Sequence, residues 1–152
     1  MSNYRVEVFK PSDLVDIDMR EHERETINID NLMFQMCLPN SQCGTMFAND
    51  GTIICLVGIC ELWNGVFQVF VIPSRGMRKY GVGVVRQVRR LLDSIQISHK
   101  AHRMQSWSLD DAQTNKWMET LGFTCEGKML YFTNNKHDYN MWARYGDTSN
   151  GR

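Results

Sequence analysis

No stretch of this 152-residue chain approaches the ~20 apolar residues that a membrane-spanning helix requires, and its polar, acidic first thirty residues hold no apolar segment of signal-peptide length. The expectation is an unsecreted, cytoplasmic protein. Net charge is missing as well: 17 basic side chains balance 17 acidic ones, which argues against a general attraction to nucleic acid or to an anionic membrane. Metal-ligand spacing is absent, because the five cysteines form no Cys-x-x-Cys pair and have no nearby histidine partner. No metal site is expected, and the thiols read as reduced, buried small hydrophobes. Internal repeats, linkers and low-complexity segments are lacking too. One domain over residues 1–145 is expected, with a loose polar tail at 146–152.

What is present has clear periodicities. Tyr4 to Phe9 alternates as a short strand, and Pro11-Ser12-Asp13 offers a helix start. Residues from Asp13 to about Leu38 read as one or two helices broken near Asn28. Asp50-Gly51 is a strong hairpin turn joining Gly44–Ala48 to the run Thr52–Leu62, and Asn64-Gly65 returns the chain into Val66–Ile72. The apolar, β-branched content of the last two runs predicts strands buried on both faces. Beyond Pro73 the period changes: Val84, Val88, Leu91 and Ile95 fall at helical spacing opposite Arg86, Arg89 and Arg90. A strand over His102–Leu109, a cap at Asp110-Asp111, a helix over Ala112–Leu121 and a strand pair, Phe123–Phe132 with Tyr139–Arg144, complete the chain. The order gives an α+β domain with a mixed sheet.

The zero net charge hides a partition. Residues 1–32 carry −4, 33–74 carry −2, 75–103 carry +7 and 104–152 carry −1. The positive block coincides with Arg78-Lys79-Tyr80-Gly81-Val82-Gly83, at a junction from a buried strand to an amphipathic helix. Glycines there let backbone N–H groups face an anion, and the helix start adds roughly half a positive charge. A flexible turn and a solvated basic face account for each feature singly, whereas a ligand with several phosphates accounts for both together. A nucleic-acid stripe is a further reading, with a steep salt dependence as its mark.

These residues resemble the GNAT superfamily of acyl-coenzyme A-dependent N-acetyltransferases. Its pyrophosphate signature, Arg/Gln-x-x-Gly-x-Gly/Ala after the fourth strand, is matched by Arg78, Gly81 and Gly83. The later run of a strand ending at Ser108, a helix, Leu121-Gly122-Phe123 and Glu126-Gly127 is similar to the family's closing motif. The resemblance implies a mostly antiparallel sheet of about six to seven strands flanked by helices. It also implies acetyl-coenzyme A lying between the fourth and fifth strands. Backbone groups at Val69 and Val71 would then hold the pantetheine arm, and Arg78, Lys79 and the amides of Tyr80, Gly81, Val82, Gly83 and Val84 the phosphates.

The chain departs from the family at its catalytic positions. Met118 stands where a tyrosine often protonates the leaving thiolate, and the fourth strand offers Gln68 in place of a glutamate base. The substitutes are Glu61 as base, against a surface acid; Ser108 or Asp110 as a holder of water, with Asp110 equally a helix cap; and Tyr131 or Tyr139 as acid. Trp63, Trp107, Trp117 and Trp142 read as core or acceptor-pocket wall, and His99 and His102 as solvated. Two partners follow: acetyl-coenzyme A, and an amine acceptor on a protein or small molecule. In size, acidic helical start and eroded catalytic positions the chain also looks similar to short acetyltransferase-like proteins of short-tailed bacteriophages. That implies the alternative of a structural or interaction protein of the host cytoplasm or virion.

Overall fold

A computed structural model describes residues 4–146, apart from the side chains of residues 29, 34 and 35; of the expected tail, residues 147–152 lie outside the described residues. The elements run β1 (Tyr4–Val8), α1 (Pro11–Asp16), α2 (Glu21–Thr26), α3 (Ile29–Met36), β2 (Ser41–Ala48), β3 (Ile53–Trp63) and β4 (Val66–Pro73). A 3₁₀ turn (Arg75–Tyr80) then leads to α4 (Gly81–Ser98), β5 (Arg103–Leu109), α5 (Ala112–Thr120), β6 (Thr124–Met129) and β7 (Tyr139–Tyr145). The strands form one seven-stranded sheet in the order β1-β2-β3-β4-β5-β7-β6. The β4–β5 pair is parallel, with Val66, Phe67 and Gln68 opposite Arg103, Met104 and Gln105. The β1–β2, β2–β3, β5–β7 and β6–β7 pairs are antiparallel. The chain divides into two compact units, residues 1–60 with 69–84 and residues 61–68 with 85–152.

In the first unit apolar residues of α1, α3 and the connecting segments pack against β3 and β4. Leu14, Ile17, Met19, Met36, Leu56 and Ile72 form a buried cluster with Phe9, Leu32 and Phe70 packed against it. The expectation of one or two helices over 13–38 is corrected to three. The first break is tertiary: Met19 bridges to Ser74, Arg75 N–H donates to the Asp18 carbonyl (2.8 Å), and the Arg75 side chain donates to the Met19 carbonyl (3.0 Å). Asp13 is buried in α1, where it accepts from the Lys10 N–H (2.9 Å) and from Thr45 Oγ1 (2.7 Å). Thr45→Val would leave that carboxylate short of a donor at constant volume. Unfolding in urea is expected to show a loss of about 1–3 kcal/mol, since a buried acceptor deprived of its partner keeps its desolvation cost.

In the second unit the expected amphipathic helix is present as α4, where Val88 and Leu92 are fully buried and Arg86, Arg89 and Arg90 are exposed. Met104, Met118, Leu121, Phe123, Trp142 and Ala143 are buried with them. The strand expected over 123–132 ends at Met129, because the chain turns at Tyr131, whose φ is +52°. The helix cap is Asp111, which accepts from Thr114 N–H at 2.7 Å, and Asp110 has a different task.

Three burial expectations are corrected. Cys37 and Cys125 are exposed, one just past α3 and one on the edge strand β6, while Cys55 is fully buried. Of the two readings of the tryptophans, the core one fails for Trp63, which is 65% exposed because the Asn64-Gly65 turn follows it, and for Trp107, which is 43% exposed. His99 is packed edge-on to Phe67, with ring centroids 5.3 Å apart. Among the described residues no helix is long and apolar enough to cross a membrane.

Candidate active site

The basic glycine junction lies in the first unit. β4 ends at Pro73, Ser74 stays extended, and the segment expected as a loop forms the 3₁₀ turn. Val69 is buried on β4 and Val71 half-buried. Gly81 has φ +62° and ψ −147°, and its N–H donates to the Arg78 carbonyl. Positive φ of this kind is closed to β-branched residues. Gly83 meets a different limit: a Cβ there would lie 2.9 Å from the Tyr4 hydroxyl, so the tip of that side chain would have to shift to admit one. Because Gly81 has already spent its N–H, the amides that head α4 without intrahelical acceptors are those of Val82 and Gly83, whereas Val84, expected among them, is the first residue whose N–H has a helical acceptor, the Tyr80 carbonyl.

The charge of the junction is partly consumed by the fold. Arg75 is bound to Met19 and lies 3.5 Å from Asp18, Arg89 donates to the Thr120 carbonyl (2.8 Å), and Arg103 is paired with Glu126. Arg78, Lys79, Arg86 and Arg90 remain exposed, with the Lys79 ammonium 5.2 Å from the Tyr80 ring centre.

The residues expected to carry chemistry lie in the second unit. The β5–β7 register sets Ser108 opposite Asn140. Ser108 Oγ accepts from the Trp142 indole N–H (2.9 Å), which leaves its own proton to be donated. Asn140 is buried and donates to Asp110 (2.9 Å) and to Asn115 Oδ1 (3.0 Å), while Asn115 also donates to Asp110 (3.0 Å). Lys128 completes the group at 2.8 Å from Asp110. Hydrogen bonds from Asn115, Lys128 and Asn140 hold the Asp110 carboxyl well below the usual carboxylate range. Asp110 is therefore an anion at working pH, able to orient a donor and unsuited to passing a proton.

Glu61 stands exposed at the end of β3. Tyr131 is 73% exposed in the loop after β6, outside the strand pair expected for it, and its N–H donates to Asp138 (3.0 Å), whose carbonyl accepts from Asp110 N–H (3.0 Å). Tyr139 is buried beside Phe132, which stacks edge-on to Trp107. Met118 is 4% exposed, a core side chain with no proton to give. The structure thus links Asp110 to the Tyr131 backbone through Asp138, while Ser108 is bonded separately to Trp142. Sequence reading missed Asn115, Lys128 and Asn140, for which the only signal was polarity; the strand register and the turn at 130–138 unite them.

A second charged group flanks β5. Arg103 grips Glu126 with two bonds (2.6 and 2.9 Å), and the Tyr145 hydroxyl also bonds Glu126. Bonds from Arg103 and Tyr145 pull the Glu126 carboxyl down to about 2. The folded value lies below the unfolded one, so the stabilisation is complete above about pH 4.5 and disappears as pH falls toward 2. Glu126→Gln should flatten this limb, and melting midpoints of the two proteins measured from pH 5 to pH 2 should converge as the pH drops.

No protein-family model matches the chain, and no curated protein matches it. Solved structures do. The ribosomal-protein-S5-alanine acetyltransferase of Vibrio fischeri superposes with a TM-score of 0.74 at 17% identity, over 97% of this chain and 96% of that one. A chimera of the Vibrio cholerae spermidine N-acetyltransferase gives 0.74 at 15% identity, over 95% and 96%. A protein described as a phosphinothricin N-acetyltransferase gives 0.75 at 13%, over 95% and 99%. With its strand order, and with a glycine turn between β4 and α4, the chain has the GNAT, or acyl-CoA N-acyltransferase, fold.

Proposed function

We propose that this protein is an acetyl-coenzyme A-dependent N-acetyltransferase, with residues 1–145 as its one GNAT-like domain. The observation that carries the reading is the β4–α4 junction: Gly81 at positive φ, Gly83 close under the Tyr4 hydroxyl, and exposed Arg78 and Lys79 beside them. Amides preset at a helix start and flanked by cations suit a pyrophosphate. The fold shared with N-acetyltransferases supports the same ligand, although fold alone assigns no activity. Arg78, Lys79 and the amides of Val82 and Gly83 would hold the phosphates, and the β4 backbone around Val69 and Val71 would take the pantetheine arm. When bound, acetyl-coenzyme A supplies an acyl thioester activated for attack by a neutral amine.

The chain's own residues then have separable tasks. Glu61, exposed, can accept the amine's proton directly or through water. Ser108 keeps a hydroxyl proton to donate while its lone pair is tied to Trp142, and Tyr131 presents a second hydroxyl. Asp110 keeps Asn115 and Asn140 in place as a permanent anion. Isothermal titration with acetyl-coenzyme A tests the reading, and the absence of binding at high micromolar concentration would sink it.

Buried Met118 in place of a tyrosine favours a second reading, a fold that keeps the cofactor site and has lost turnover, as in a virion-associated or interaction protein. Binding of acetyl-coenzyme A without acetylation of any amine in a panel of polyamines, amino acids and peptides distinguishes it from the first. The chemistry of the acceptor is open to that same panel.

A further inference from the structure

The phosphate-binding turn is braced by a residue far away in sequence. Tyr4 lies on the edge strand β1, 76 residues before Tyr80, and its hydroxyl donates to the Tyr80 carbonyl at 3.3 Å. The two rings meet edge to face, with centroids 6.1 Å apart and planes at 85°. The same hydroxyl lies 2.9 Å from the point where a Cβ on residue 83 would stand, whereas the nearest ring carbons, at 3.6 and 3.7 Å, are at ordinary contact distance. Tyr4 thus touches the turn on both sides of Gly81.

We propose that Tyr4 is a positioning residue for phosphate binding, its hydroxyl bonding the Tyr80 carbonyl and crowding any Cβ at position 83. The inference rests on the coenzyme A reading of the same turn. Backbone amides bind an anion well only when they are aimed before it arrives, since ordering them on binding costs affinity. Gly81 supplies a conformation that glycine enters at little cost, but the same freedom lets the turn relax. The bond from Tyr4 to the preceding carbonyl removes that freedom, and the Tyr80 ring, with Lys79 over it, is held by the same contact.

The test uses Tyr4→Phe, Gly83→Ala and the double variant. Tyr4→Phe keeps the ring and removes the hydroxyl, so coenzyme A, followed by calorimetry, should bind about fivefold more weakly, the order expected for one neutral hydrogen bond. Pantetheine, which carries no phosphate, should bind all three variants and the unaltered chain equally in an NMR titration. Gly83→Ala should lower the melting midpoint in the unaltered background and should do so far less in the Tyr4→Phe background, because the 2.9 Å clash leaves with the hydroxyl.

Equal weakening toward coenzyme A and pantetheine would reduce Tyr4 to a general structural contact and overturn the proposal. So would unchanged coenzyme A affinity in Tyr4→Phe, or strictly additive midpoints. If the unaltered chain binds no coenzyme A, the functional reading fails and takes the positioning role with it; if it binds and Tyr4→Phe binds as well, only this inference fails.

Discussion

Gly81→Val is expected to weaken coenzyme A binding by roughly thirtyfold, or to lower folding stability by about 2 kcal/mol, the two being alternative outlets for one strain. At φ +62° and ψ −147° a β-branched residue meets its own backbone. The variant either keeps the turn, and unfolds at lower urea, or relaxes it, and loses the aim of the amides that follow. Gly76→Ala, in the same 3₁₀ turn, is the matched control. Its φ is not positive, and its Cβ would find its nearest neighbours at 3.9 and 4.0 Å, so both affinity and midpoint should stay put. Calorimetry and urea titration of the two variants together measure the sum; a Gly81→Val protein identical to the unaltered one in both would remove the conformational argument.

Trp142→Ala should have the largest effect on stability, about 3–5 kcal/mol, because the side chain is 2% exposed and its loss leaves a cavity as well as removing apolar burial. For a domain held by about 5–15 kcal/mol this is a large share, and partial unfolding at 37 °C is the expected result. Trp142→Phe separates the two contributions of the indole. It retains most of the volume and deletes the N–H that fixes Ser108 Oγ, so a loss near 1 kcal/mol is expected in urea. If Ser108 donates a proton during acyl transfer, the phenylalanine variant should lower kcat with little change in KM.

Much of the fold was legible because local pattern and tertiary demand coincide. In α4 the apolar residues recur at the helix's own period, and Val84, Val88 and Leu92 are completely buried. The Asp50-Gly51 and Asn64-Gly65 turns set the β2–β3–β4 meander where the sequence placed it. Legibility failed where a distant partner decides. The break between α1 and α2 has no strong breaker of its own; Ser74 and Arg75 impose it from across the unit. Trp107 and Cys125 read as interior by residue type, yet the strands that carry them leave them in contact with solvent.

The candidate site divides in the same way. Glycine's access to positive φ and a run of cations are properties of adjacent residues, so Arg78-x-x-Gly81-x-Gly83 could be recognised from the chain alone, and with it the class of fold. What holds the turn could not. Tyr4 meets Tyr80 and Gly83 only because β1 pairs with β2 at the sheet's edge, and no local preference of residues 1–8 encodes that encounter. Asp110 likewise read as a helix cap or a water holder, until the β5–β7 register and Lys128 made it a fixed anion. By itself the sequence determined which backbone conformations and charges were available; tertiary structure decided which of them face one another, since hydrogen bonds and burial act between groups that only the folded chain brings together.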